Sequence, residues 1–178
     1  MSASPIRPSI RTHVDAPAAD AEAVRQRFRD ALALWASGVA VLAVSDGEDI
    51  DAITVSAFTV VSLDPPLVLV CVSENSSLIP MLLEERRFVV SVLAEGDQRV
   101  ASRVANRLPP ESPGFAGEGV PVLQGALAAF VCRLHAAYPG GDHRIVVGEV
   151  ERVERGRDSP PLLYFNRSYR RLCGPPPT

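Results

Sequence analysis

The chain has no lysine: all 18 of its basic side chains are arginines, set against 21 acidic ones for a net charge of −3. A mechanism that needs a lysine amine, such as a Schiff base or a phosphate-binding P-loop, is therefore excluded. The charge balance also lacks the basic excess that contact with a phosphate backbone requires. We therefore expect no nucleic-acid partner.

Cysteine is scarce as well. Cys71, Cys132 and Cys173 are far apart in the sequence, and none belongs to a CxxC pair. This spacing argues against a disulfide framework and against a zinc site, and it favours a reducing compartment. We predict no bound metal, because His13 lies near the N-terminus and His135 has no carboxylate or cysteine at ligand spacing.

Long apolar runs are missing too. Residues 1–20 contain no apolar signal-peptide region, and no stretch approaches the roughly 18 apolar residues of a membrane-spanning helix. We expect a soluble, cytoplasmic protein with no membrane association. The length fits one domain, so we predict a disordered N-terminal arm over 1–20, a single domain over 21–173 and a flexible tail over 174–178.

Hydrophobic spacing divides this domain into one helix followed by strands. Apolar residues at intervals of three and four, among them Phe28, Leu32 and Trp35, predict an amphipathic helix that starts at Glu22 and stops before Gly38. Runs of Val, Ile, Leu and Thr bounded by turn residues predict six strands, over residues 39–44, 53–62, 67–73, 88–93, 126–137 and 144–153.

The connections between these strands are of three kinds. Asp46 and Gly47 predict a hairpin turn. Short helices are predicted over 78–85 and 98–107, and a loop rich in proline and glycine over 108–119. The pattern indicates a mainly β fold with flanking helices, arranged as a closed or nearly closed β-barrel.

Three segments could carry chemistry, and the first is the run from Thr54 to Ala57. Its polar or small side chains interrupt an apolar strand, as in a strand that lines a ligand groove, where a flat ring approaches the backbone. The alternative is a half-exposed edge strand, whose Thr and Ser side chains simply face solvent.

The second segment, from Ser73 to Leu78, follows an apolar strand and precedes a predicted helix. Its hydroxyls and free N–H groups would suit an anion, which makes it a candidate phosphate site. The alternative is an ordinary N-cap by Ser76 or Ser77, and both interpretations can hold together.

The third segment is a tight turn made by Gly140, Gly141 and Asp142, after which His143 opens a strand near the mouth of the predicted barrel. A lone histidine in such a place is either a binding residue or a structural one. No GxSxG or Cys-His signature of a nucleophilic triad is present.

Taken in order, these segments resemble the short-chain flavin reductases, the NAD(P)H:flavin oxidoreductase components of two-component monooxygenases. The similarity runs from about Phe28 to Leu172, through the motifs at 52–58, 61–70, 75–77, 90–94, 141–150 and 161–165 with Tyr169. It is greatest to FMN-using reductases of antibiotic pathways.

The resemblance implies a Greek-key, FMN-binding split β-barrel that forms a homodimer with flavin near the subunit interface. It implies hydride transfer from NADH or NADPH to FMN, or to FAD, and delivery of the reduced flavin to a partner monooxygenase. Because the cofactors carry this chemistry themselves, no catalytic acid or base is expected.

The resemblance also assigns roles to ten residues. Along the isoalloxazine ring and ribityl chain it places Thr54, Val55, Ser56 and Ala57. At the ribityl and phosphate end it places Ser62, Asn75, Ser76 and Ser77. His143 is expected beside the nicotinamide, and Tyr169 is expected to close that side of the pocket.

The sequence departs from the family pattern at Ala52, Val60 and Val104, and the proline-rich loop is short. Loss of a hydroxyl at Val60 is expected to weaken flavin binding. Two alternatives stay open: a non-catalytic flavin- or haem-binding split-barrel protein, and a flavin-dependent oxidoreductase that acts directly on an organic substrate with tightly retained flavin. His143 and Tyr169 favour the reductase, since a mere binding module would not need them.

Overall fold

The computed structural model describes residues 18–108, 114–117 and 119–172. The chain divides into two compact units between Leu34 and Trp35. The predicted flexible tail, 174–178, lies outside the described residues, as do Cys173 and the first 17 residues of the predicted N-terminal arm.

The first unit contains helix α1, Ala18–Leu32. The helix begins before the predicted Glu22, within the segment expected to be disordered, because alanine-rich sequence favours helix without any apolar periodicity. An ion pair between Glu22 and Arg25, 2.7 Å apart and three residues along the chain, stabilises its first turns.

The end of α1 also differs from the prediction. The helix stops at Leu32 and closes in a tight turn, in which the N–H of Leu34 donates to the carbonyl of Ala31 at 3.0 Å. Its predicted apolar face exists, and Phe28 and Leu32 are exposed on it. The helix is too short to cross a membrane, and no helix in the described part of the chain is long and apolar enough to do so.

The described part of the second unit is mainly β, with two short helices. The helices are α2 (Leu78–Glu85) and α3 (Gln98–Ala105). The strands are β1 (Ser37–Gly38), β2 (Ala40–Ser45), β3 (Ile50–Val55), β4 (Phe58–Leu63), β5 (Pro66–Ser73), β6 (Arg87–Val92), β7 (Phe115–Ala116), β8 (Val122–Leu123), β9 (Ala128–Gly140), β10 (His143–Arg155), β11 (Leu163–Phe165) and β12 (Ser168–Arg170).

Seven of these strands form one antiparallel sheet in the order β3-β2-β6-β9-β10-β5-β4. Strands β1, β11 and β12 form a separate small sheet, and β7 pairs with β8. Within the described residues the seven-stranded ladder is open between β3 and β4, so closure of the barrel stays a prediction. The mainly β class with flanking helices is confirmed.

The main core of this unit lies between the sheet and α2. Leu78 and Leu82 of α2 are fully buried against Leu42, Val70 and Phe88 from three strands. The apolar face of α2 is therefore what holds the preceding loop against the sheet.

A smaller cluster of buried residues lies under α3. Ala101 and Val104 of α3 pack with Val39, Val41 and Leu93. This packing fixes the position of the C-terminal end of α3, which matters for the site described below.

One predicted strand, 53–62, is wrong: it is two strands, β3 and β4, separated by Ser56 and Ala57. Strand β3 pairs with β2 and ends where Val55 lies opposite Ala40, whereas β4 pairs with β5 from Phe58 onward. The chain changes pairing partner at the break, and hydrophobic alternation cannot show such a change.

The long strands β9 and β10 agree with the prediction and extend it. Their two-residue turn is formed by Gly141, with φ of 81°, and Asp142. Register shifts beside Gly148 and after Val150 bend β10. A Cβ on Gly148 would lie 2.4 Å from the Phe88 ring, so the bend and the core require glycine there.

Candidate active site

Four parts of the second unit meet around a cavity of about 400 Å³. They are the β3–β4 junction, the loop between β5 and α2, the end of α3 and the start of β10. The lining residues are Ile53, Thr54, Val55, Ser56, Ala57, Cys71, Val72, Ser73, Asn75, Ser76, Val104, Ala105, Arg107 and His143. Seven of the ten predicted site residues are among them.

Small side chains form the wall contributed by the β3–β4 junction. Ser56 and Ala57 lie between the two strands and are exposed. The N–H of Cys71 donates to the carbonyl of Ala57 at 3.1 Å, so β5 holds the junction in place. The segment therefore lies in a cavity wall where a flat ligand can approach the backbone.

Thr54 lines the cavity, but its hydroxyl proton is already used. Its Oγ1 donates to the carbonyl of Ala101 at 2.7 Å and so joins β3 to α3. Thr54 can still accept a hydrogen bond from a ligand, since a hydroxyl oxygen keeps acceptor capacity. Val55, next to it, is buried and contributes only apolar surface.

The loop between β5 and α2 is held by its own serines. The N–H of Ser76 donates to the carbonyl of Ser73 at 2.9 Å, and the Ser76 hydroxyl accepts from the N–H of Leu78 at 3.3 Å. Ser76 is buried and supports the start of α2, but the N-cap residue is Ser77, whose side chain makes no capping hydrogen bond, so the structure does not show the ordinary N-cap. Ser76 and the exposed Asn75 both line the cavity.

Ser77 lies outside this cavity lining and between two charges. Its hydroxyl donates to Asp51 Oδ2 and accepts from the Arg107 guanidinium. The same guanidinium nitrogen lies 3.7 Å from Asp51 Oδ1. Arg107 itself lines the cavity, so Ser77 is linked to the cavity only through its hydrogen bond with the Arg107 guanidinium.

His143 lies at the exposed end of the cavity. Its Nδ1 is 2.7 Å from Asp142 Oδ1, and this hydrogen bond, followed by the histidine charge, lowers the pKa of the Asp142 carboxyl below its usual range. The turn is joined to the β5–α2 loop, because the N–H of Glu74 donates to the carbonyl of Asp142 at 3.1 Å.

Tyr169 lies at a second, smaller cavity of about 190 Å³ that shares Thr54, Val55 and Ser56 with the first. Its ring meets Tyr164 edge-on, with ring centroids 5.6 Å apart. Ser62 is brought to neither cavity: its hydroxyl accepts from the N–H of Asp64 at 3.2 Å in the β4–β5 turn.

Sequence reasoning missed Arg107. It was one of 18 arginines, at the end of a predicted helix and beside a proline-rich loop, and nothing local marked it. Only the packing of α3 against the sheet carries it to the cavity. The flanking Val104, which was noted as a departure from the family pattern, lines the same wall.

The match to known proteins covers most of the chain. Residues 32–173 match the family model described as flavin reductase like domain. The chain belongs to this family. It is 51% identical over 152 residues to the reductase component of 4-hydroxyphenylacetate 3-monooxygenase of Thermus thermophilus, which covers 85% of this chain and 99% of the relative.

Solved structures of flavin reductases share the fold. BorF, the flavin reductase component of a bacterial two-component tryptophan halogenase, superposes with a TM-score of 0.77 at 41% identity, over 85% of this chain and 99% of its own. The NADH:FAD oxidoreductase SgcE6 of Streptomyces globisporus, in complex with NAD and FAD fragments, gives 0.77 at 32% identity, over 84% and 93%.

The cavity suits a flavin in shape and chemistry. Its volume lies within the usual range for ligand pockets of about 300–1,000 Å³. Its lining offers small side chains, Ser56 and Ala57, for a ring, and polar groups on Asn75, Ser76 and Arg107 for a phosphate. Among residues 18–108, 114–117 and 119–172, no three His, Cys, Asp or Glu side chains are grouped as a metal site would require.

Proposed function

We propose that this chain is an NADH- or NADPH-dependent flavin reductase, which reduces FMN, or FAD, and supplies the reduced flavin to a partner flavin-dependent monooxygenase. One observation carries the proposal. Within a chain of the flavin reductase family, a single cavity joins the small-residue junction, the serine loop and His143.

The flavin ring is proposed to lie against Ser56 and Ala57, because these exposed side chains leave the backbone accessible. The ribityl chain and phosphate then extend towards Asn75 and Ser76. The Ser62 hydroxyl accepts a hydrogen bond within the β4–β5 turn and lines neither cavity. Ser62 is therefore proposed to contact the flavin only when a second copy of the chain completes the site.

His143 is proposed to orient the nicotinamide. When a neutral imidazole donates its Nδ1–H to Asp142, its Nε2 is a hydrogen-bond acceptor. A carboxamide N–H₂, such as the nicotinamide carries, is a matching donor. Tyr169, in the adjoining cavity, is proposed to close this side of the site.

The flavin and the nicotinamide supply the hydride transfer when both are bound. The chain's own residues then have to bind the two rings, orient them face to face and exclude water. None of them has to move a proton for the hydride step. This fits a cavity whose lining, as far as the chain is described, holds one histidine, one arginine and no carboxylate.

The proposal is tested by following NADH and NADPH oxidation with the purified protein, with and without added FMN, FAD or riboflavin. Oxidation that depends on added flavin is the expected result. Flavin binding without oxidation would instead support a non-catalytic flavin- or haem-binding protein. A purified protein that keeps tightly bound yellow flavin, and needs none added, would support direct oxidation of an organic substrate.

The assembly is also part of the proposal: a split barrel over residues 21–173 that pairs with a second copy. Support comes from β4, an outer strand of the seven-stranded sheet whose Val60, Val61 and Leu63 are exposed, with Leu63 as much as 86% exposed. An apolar strand at a sheet edge is normally covered by another part of the protein or by a partner. A symmetric partner would cover them.

A cytoplasmic location belongs to the same proposal. Cys71 and Cys132 are both free thiols, and a reducing compartment maintains thiols in that state. Antibiotic or other secondary metabolism is the proposed setting for the partner monooxygenase.

A further inference from the structure

Among the described residues that line the cavity, Arg107 is the one permanent cation, and it shares the wall with Asn75 and Ser76. A flavin phosphate carries negative charge, and the sequence has no lysine to meet it. A guanidinium is well suited to this task, since its planar fork matches phosphate oxygens.

The backbone of Arg107 is unusual. Its φ of 56° lies in the left-handed region, directly after α3. Its N–H donates to the carbonyl of Val104 at 3.0 Å, and the N–H of Leu108 donates to the carbonyl of Arg103 at 2.9 Å. This is the helix ending in which glycine is the usual residue at the left-handed position. At this position the chain has instead a charged side chain that lines the cavity.

The Arg107 side chain is held by an anion of the protein itself. It donates to the Ser77 hydroxyl, which in turn donates to Asp51, and its guanidinium lies 3.7 Å from the Asp51 carboxylate. The arginine side chain is 52% exposed, so it can turn towards a ligand, whereas Asp51 is only 21% exposed. Asp51 and a ligand phosphate therefore compete for one guanidinium.

We propose that Arg107 determines the preference of this site for flavins that carry a 5′-phosphate, and that Asp51 lowers this preference by competing for the Arg107 guanidinium. This role rests on the proposed function, which places a flavin in the cavity. The phosphate of FMN and the diphosphate of FAD share the relevant chemistry. Riboflavin lacks it and serves as the reference ligand.

Removing the charge of Arg107 and removing the charge of Asp51 should change the Kd for FMN in opposite directions. Arg107→Gln keeps the length and polarity of the side chain but removes the charge, so it should raise the Kd for FMN roughly tenfold to a hundredfold. Asp51→Asn removes the competing anion and should lower the Kd for FMN by about twofold to tenfold. In both variants the Kd for riboflavin should stay near the wild-type value.

The matched control is Arg86→Gln. Arg86 also follows a short helix with a left-handed φ, of 55°, but it does not line the cavity. It should leave the Kd for all three flavins unchanged. The double variant Asp51→Asn with Arg107→Gln should bind FMN as weakly as Arg107→Gln alone, because the competition needs the guanidinium.

Titrations of FMN, FAD and riboflavin, followed by quenching of flavin fluorescence, measure these constants, and thermal melts confirm that each variant is folded. Equal effects of Arg107→Gln on FMN and riboflavin would overturn the inference. So would weaker FMN binding by folded Asp51→Asn. A wild-type protein that binds no flavin would overturn the proposed function instead, and this inference with it.

Discussion

Arg144 and Glu74 form a two-pronged ion pair, with Arg144 Nε 3.0 Å from Glu74 Oε1 and Arg144 Nη2 3.1 Å from Glu74 Oε2. Both side chains are about one-third exposed, so solvent screens the pair in part. The pair connects the loop that carries Asn75 and Ser76 to the strand that begins with His143. The proposed phosphate and nicotinamide ends are therefore mechanically joined.

Breaking this ion pair should affect both ends of the site. Glu74→Gln is expected to raise the Kd for FMN and the KM for NADH by about twofold to fivefold each, because loop and turn can then shift independently. FMN titration and steady-state kinetics measure the two effects. The swapped pair, Glu74→Arg with Arg144→Glu, should recover part of both.

The control for that experiment is a surface ion pair away from the cavity. Arg133 and Glu149 join β9 to β10 at 2.8 Å, and neither lines the cavity. Glu149→Gln should leave both constants unchanged. If Glu74→Gln lowers the melting temperature and changes neither constant, the ion pair only stabilises the fold.

His143→Ala should lower kcat/KM for NADH about tenfold to a hundredfold, the cost of one lost orienting contact, while the Kd for FMN stays near wild type. His143→Gln should recover part of the loss, because its amide oxygen can replace Nε2 as an acceptor. Stopped-flow mixing with NADH measures the effect. Wild-type kinetics in a folded His143→Ala protein would leave the histidine with a structural role only.

The assembly is expected to be a dimer in solution. Light scattering coupled to size exclusion should give twice the 19.1 kDa mass of the chain at micromolar concentration. Val61→Asp, which places a charge on the exposed apolar part of β4, should shift the protein towards monomer. Val153→Asp, at an exposed valine of β10, is the matched control and should stay dimeric. A wild-type monomer would contradict the proposed assembly.

The two described cysteines should differ in reactivity. Burial, with a smaller effect from the Glu151 charge, raises the pKa of the Cys132 thiol to about 12, so this thiol stays neutral at pH 8 and does not react. Cys71 is half-buried and lines the cavity. In a Cys173→Ser background, iodoacetamide should modify Cys71 alone, as mass spectrometry would show.

Flavin should then protect Cys71. Saturating FMN is expected to slow its modification several-fold, because the ligand covers the cavity wall. The Cys71→Ser, Cys173→Ser protein serves as the control and should take up no label until it unfolds. Modification at the same rate with and without bound FMN would show that the flavin lies elsewhere.

The sequence predicted correctly those helices and turns that neighbouring residues determine. The predicted helix over 78–85 coincides with α2, and the glycine turn before His143 is where the sequence places it. The break at Ser56 could not be foreseen, because it marks a change of pairing partner between distant strands. Strand β1, of two residues, has too few positions to show any periodicity.

The same distinction applies to the site. The groove and the serine loop were recognisable because several polar residues follow one another in sequence. Arg107 meets Ser77 and Asp51 only through tertiary packing, and each of these contacts spans at least 30 positions of the chain. Composition gave one hint: without lysine, any cation at the phosphate end had to be an arginine.

The left-handed backbone of Arg107 lowers the stability of the fold, while its side chain is proposed to strengthen flavin binding. A non-glycine residue in that conformation costs about 1–2 kcal/mol, which glycine largely avoids. Arg107→Gly should therefore yield a protein that melts at a higher temperature and binds FMN more weakly. If both effects are measured, position 107 is one where greater thermal stability and tighter flavin binding require different residues.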